Sequence, residues 1–164
     1  MDTTNWKVPR PGQGAGRFTV ESGRVIASDP CYNMNRGEGT AARKGNWRAS
    51  VDRRNTSWGN RVCVLTAWHE DVNPESRTFT KLRGADGGVD SGQFGFFDEK
   101  EFDPDGPFYD DCCSMTCSDA GFGSTKHGVV ACSGFGDGCY PVEVSREGKE
   151  AVAFRVTFIG DDEN

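Results

Sequence analysis

Leucine is nearly missing from this chain: Leu65 and Leu82 are the only two among 164 residues. A chain so poor in a leading helix former does not build its core from long amphipathic helices, and no long stretch with that period is visible. No apolar run approaches the ~20 residues that a membrane-crossing helix needs, so no membrane partner is expected. The first residues, Met1-Asp2-Thr3-Thr4-Asn5-Trp6, lack the basic start and apolar stretch of an export signal. A cytoplasmic location is therefore expected, in the host cytoplasm if the protein is viral. Positive charge is outnumbered, 19 Lys and Arg against 25 Asp and Glu, for a net charge of -6. Duplex nucleic acid, which is held by a basic stripe, is not the expected partner. One basic region remains, at Arg43, Lys44, Arg48, Arg53, Arg54 and Arg61. It reads either as the solvated face of two strands or as a holder for a small anion. Histidine is confined to His69 and His127. His127 is near Cys117 and Cys132 in sequence, which leaves a Cys-His pair open, but a lone loop histidine is more often simply exposed. None of the seven cysteines forms the Cys-x2-Cys spacing of a zinc knuckle, and free thiols are expected in a reducing compartment.

What is abundant is glycine, with 22 residues, and aromatic rings, with 11 Phe, 4 Trp and 3 Tyr. Aromatic and β-branched side chains suit a pleated surface, and glycine suits tight turns. Short strands are predicted at 18–21, 24–27, 46–51, 61–69, 77–81, 93–97, 128–132, 140–144 and 151–159. The first two are read as a hairpin around Ser22-Gly23. Residues 61–69 carry apolar side chains on both faces, which predicts a strand covered on both sides. Residues 98–102 are read as a brief helical turn. The expected fold is all-β: a single-domain β-sandwich or partly open barrel with short strands and long Gly-rich loops. Residues 1–16 are expected to form an extended arm, 17–159 the β-rich domain and 160–164 an acidic tail.

Three loops centre on an aspartate. They are Ser28-Asp29-Pro30-Cys31-Tyr32, Gly87-Gly88-Val89-Asp90-Ser91-Gly92 and Ser133-Gly134-Phe135-Gly136-Asp137-Gly138-Cys139-Tyr140. If they meet at one end of a sandwich, two kinds of site are open. Asp29, Asp90 and Asp137, with Ser28, Ser91, Ser133 and loop carbonyls, would suit a divalent cation such as calcium or magnesium, and so metal-assisted hydrolysis. Alternatively, Gly-rich backbone would cradle a small anionic, nucleotide-like molecule. Tyr32, Trp47, Trp58, Phe135 or Tyr140 would then stack on a base, and Arg48 or Arg61 would neutralise a phosphate. The candidate ligand-binding set is Asp29, Tyr32, Arg48, Asp90, Ser91, Ser133, Asp137 and Tyr140. Against both stands the ordinary role of such aspartates, which is to accept hydrogen bonds from their own turn. A protein-interaction domain with aromatic loops and no small ligand is a further alternative.

Asp29-Pro30-Cys31-Tyr32, Val89-Asp90-Ser91-Gly92-Gln93 and the segment from Ser133 to Val142, in this order, resemble an uncharacterised family of bacterial and phage proteins, a domain of unknown function. The segment Tyr109-Asp110-Asp111-Cys112-Cys113 is similar to that family's Tyr-rich stretch. The resemblance spans about residues 17 to 159. It implies a β-rich single domain, a bacterial or phage source, and no established catalytic residue.

Overall fold

Period-2 patterning turns into layers here. The computed structural model describes residues 16–32, 39–85 and 87–160. In chain order the strands are β1 (Gly16–Val20), β2 (Arg24–Ser28), β3 (Thr40–Ala41), β4 (Gly45–Thr56), β5 (Gly59–His69), β6 (Thr80–Lys81), β7 (Gly88–Val89) and β8 (Gln93–Asp98). One helix, α1 (Pro107–Thr116), follows, and then β9 (Phe122–Thr125), β10 (Gly128–Cys132), β11 (Gly138–Cys139), β12 (Val142–Glu147) and β13 (Glu150–Thr157). A six-stranded sheet has the order β1-β4-β5-β13-β12-β6, and a five-stranded sheet the order β3-β2-β8-β10-β9. All the strand ladders are antiparallel. The sheets do not close on themselves, so of the two expected architectures this is the sandwich. No described helix is long and apolar enough to cross a membrane.

The core between the sheets explains the aromatic composition. Trp47 of β4 stacks on Phe154 of β13 at 5.7 Å, and Phe154 stacks across the sandwich on Phe96 of β8 at 5.3 Å. Contacts continue through Phe94 and Phe158 to Tyr140. Strand β5 is buried from Val62 to His69, as its two apolar faces predict. Trp47 is fully buried, with its indole N–H donating to the Arg43 carbonyl at 2.9 Å, so it cannot stack on a ligand.

Three expectations need correcting. The Ser22-Gly23 turn does not close a two-stranded hairpin: β1 pairs with β4 and β2 with β8, so the turn hands the chain from one sheet to the other. Buried Asp98 fixes that corner by accepting the N–H groups of Glu21 (2.6 Å), Ser22 (3.2 Å) and Lys100 (3.1 Å). Burial alone would raise the Asp98 carboxyl, but the hydrogen bonds from Ser22, Glu21 and Lys100 outweigh it and hold it below its usual range. Gly16, assigned to the arm, is the first residue of β1; the rest of the arm and residues 161–164 lie outside the described residues. Lastly, of residues 98–102 Asp98 ends β8 and only 99–101 form a turn, and the helix comes later. Pro107 occupies its first turn, where a missing N–H costs nothing. Its Phe108 and Cys112 pack with Phe97 and Val130 on the outer face of the five-stranded sheet.

Candidate functional site

The three Asp loops do interlock at one end of the sandwich, and Asp29 is the centre. It is fully buried, and both carboxylate oxygens are occupied. Oδ1 accepts the Cys31 N–H at 2.8 Å and the Ser91 hydroxyl at 2.6 Å. Oδ2 accepts the N–H groups of Asp90 at 2.8 Å and Ser91 at 2.7 Å. Four donors around one carboxylate make a joint between the β2–β3 connection and the loop before β8. The third loop is tied on by Asp137, whose Oδ1 accepts the Gly92 N–H at 2.9 Å, and by the Ser133 N–H, which donates to the Gly92 carbonyl at 3.1 Å. Strands β7 and β11 then pair Val89 with Gly138 and Gly88 with Cys139.

Within the third loop, Ser133 Oγ and the Tyr140 hydroxyl both donate to the Gly136 carbonyl, at 2.7 and 2.6 Å. The Tyr140 ring meets Phe158 edge-on at 5.3 Å. Gly87 shows why this junction needs glycine. Its φ is +67°, and a Cβ there would lie 1.8 Å from the Tyr140 carbonyl oxygen, whose own N–H donates to Gly87 O. Tyr32 is half-buried, and its carbonyl accepts Ser28 Oγ at 2.8 Å.

This geometry alters the role read for the carboxylates. A cation would have to displace N–H and O–H donors that already saturate Asp29, and the Asp90 and Asp137 side chains are exposed. Among the described residues no three His, Cys, Asp or Glu side chains gather to hold a metal ion. The Asp29, Asp90 and Asp137 loops thus converge without forming a divalent-cation cage. Asp29 does what buried carboxylates in turns ordinarily do, here across two segments.

Arg48 is not part of this cluster. It pairs with Trp68 in β5, whereas the loop end is marked by Cys63, whose carbonyl accepts the N–H groups of Phe158 and Ile159. Several residues per strand separate the two places. Arg61 donates from Nε and Nη2 to the Trp58 carbonyl and so is committed to its own hairpin.

Helix α1 supplies members that the loop motifs do not announce. Gln93 is buried, donates to Cys113 Sγ at 3.3 Å and accepts the Thr116 hydroxyl at 3.0 Å. The Tyr109 hydroxyl meets Cys113 and Ser91, and its bond to Cys113 raises its pKa. Tyr109, Cys113 and Thr116 sit at i, i+4 and i+7, one face of a helix, which is the signal that could have found them. Burial and the neighbouring Asp29 carboxylate push the Cys31 thiol up to about 12, so it is neutral at pH 7 and a poor nucleophile. Both histidines are engaged with backbone: His69 Nε2 with the Lys44 carbonyl and His127 Nδ1 with the Thr19 carbonyl, each at 3.0 Å.

Beside the interlocked loops runs an open groove of about 1120 Å³. Lys81, Arg83 and Gly84 form one wall, and Cys139, Tyr140 and Pro141 the other. Compared with known proteins, the chain matches no family model, no curated protein and no solved structure.

Proposed function

We propose that this protein is a binding module for a small anionic, nucleotide-like molecule, held in the groove between Lys81–Gly84 and Cys139–Pro141. The observation that carries the reading is that Lys81 and Arg83 are exposed along the groove and have no ion-pair partner among the described residues. The opposite wall is rigid, because Tyr140 is fixed by its hydroxyl bond and by Phe158. A wall already ordered before binding lowers the entropy cost of capture. Glu143, the acidic residue on the groove's rim, is neutralised by Arg155 at 3.0 and 3.1 Å. Binding is favoured over turnover because neither histidine faces a nucleophile and the Ser91 hydroxyl is held by Asp29. Calorimetric titration with a panel of mononucleotides tests this. Saturable binding that falls about tenfold or more in Lys81→Gln/Arg83→Gln is expected, since charge-assisted hydrogen bonds would be lost. Absence of binding, or binding indifferent to both substitutions, overturns it.

A second reading rests on a separate observation. Trp58 and Phe135 are the exposed large hydrophobic residues among those described, at 71% and 43%. Both stand at the loop end: Gly134 packs on Ile159, and Arg54, four residues before Trp58, donates to the Gly160 carbonyl. Two aromatics exposed toward the same end of the sandwich suit a protein partner. Capture of a partner that Trp58→Ala/Phe135→Ala abolishes, with nucleotide binding absent, would favour this reading over the first.

A further inference from the structure

The place where Arg48 does lie has its own chemistry. Strands β1 and β4 run antiparallel with Arg17 directly opposite Arg48. Like charges opposed across a strand pair repel each other. Several other guanidinium groups have acceptors: Arg24 has the Gly39 carbonyl, Arg43 and Arg77 share Glu147, and Arg155 has Glu143. Among the described residues, Arg17 and Arg48 have no hydrogen bond or ion pair from their side chains. Lys126 is brought alongside by the Thr19 N–H, which donates to the Lys126 carbonyl at 2.8 Å. The three cations line a depression of about 380 Å³ together with Thr19, Asn46 and Glu70. Among the described residues Glu70 is the only carboxylate in that lining, and it is not within ion-pair distance of any of the three. Thr19 Oγ1 donates to Asn46 Oδ1 at 3.2 Å, which leaves the amide –NH2 as the available end of that side chain.

We propose that this depression is a second ligand site, separate from the groove, that takes a compact phosphate anion of about pyrophosphate size. A local excess of two positive charges, three cations against Glu70, stands out in a chain of net charge -6. Two opposed guanidinium groups offer planar forks matched to phosphate oxygens, and Lys126 adds a point charge. The volume lies at the small end of ligand sites, which fits a diphosphate and is far too short for a duplex. An anion here also offsets the cross-strand repulsion between Arg17 and Arg48.

The test is calorimetric titration of the full chain with sodium pyrophosphate at low ionic strength, paired with melting curves. One saturable site is expected. Arg17→Gln and Arg48→Gln should each weaken it about tenfold or more, by loss of a charged fork. Arg17→Gln should also leave the ligand-free melting temperature unchanged or higher, which shows that the variant folds, and should abolish the rise that pyrophosphate produces. Lys81→Gln/Arg83→Gln should leave this site intact, so failure of the groove reading and failure of this one are distinguishable. Heat that never saturates, binding unaffected by either arginine substitution, or binding lost only with Lys81 and Arg83 overturns the proposal.

Discussion

At the scale of single residues, the aspartates divide by what surrounds them. Asp29 is encircled by donors from residues 31, 90 and 91, so its loss strands three backbone N–H groups and a hydroxyl. Each buried donor left without an acceptor costs about 1–3 kcal/mol. Asp29→Ala is therefore expected to lower stability by at least about 3 kcal/mol in urea unfolding. Added calcium or magnesium should not shift the wild-type midpoint, and a cation-dependent midpoint would contradict the joint described here. Asp52 is the opposite case. Burial, with no compensating partner among the described residues, raises its carboxyl from 3.8 to about 7. A carboxyl whose folded pKa is raised favours the protonated native state. Stability is thus lost as pH climbs from the unfolded value to about 7 and is level above it. Asp52→Asn should match wild type near pH 4 and exceed it by a margin that grows to about pH 7. A constant margin across that range would rule out titration of Asp52 as the cause. A turn-holding role for Asp29 was legible in its motif, but its function as a joint was not, because three of its four donors lie more than sixty residues away.

At the scale of elements, legibility followed pattern strength. Strand β5 announces itself by apolar side chains on both faces and β13 by apolar residues at alternate positions, and both are buried accordingly. Helix α1 hides because Asp110, Asp111 and Ser114 dilute the spacing of Phe108, Cys112 and Met115. The Ser22-Gly23 corner looks local but is decided by Asp98, seventy-six residues from Ser22. For the same reason the convergence of the Asp loops was readable from three similar motifs at strand ends, whereas the exclusion of Arg48 depends on strand order, which no local motif encodes. Helix α1 also has a measurable role. Phe108 meets Phe97 at 4.9 Å and Phe102 at 5.3 Å in a small satellite core. Phe108→Ala should cost about 3–5 kcal/mol if that core cannot collapse. Since Tyr109 and Thr116 share the helix, amide exchange at Ser91 and Gln93 should accelerate with it. Unchanged protection at those two amides would show that α1 and the Asp29 joint are uncoupled.

At the scale of the whole molecule, the two sheets are joined by aromatic stacking through the middle and by backbone hydrogen bonds at the loop end. The proposed groove and the proposed phosphate site lie toward opposite ends of the sandwich, with the ring contacts from Trp47 to Tyr140 between them. Strand order carries one more consequence. The last described strand, β13, lies in the interior of the six-stranded sheet, bonded to β5 on one side and β12 on the other. A chain emerging from the ribosome presents β1, β4 and β5 long before the strand that must bridge them to β12. Until Thr157 has cleared the exit tunnel, β5 has an unpaired edge and Trp47 lacks the Phe154 ring that covers it. The sheet is therefore completed only once β13 has been made, and until then the nascent chain carries an exposed, sticky strand edge.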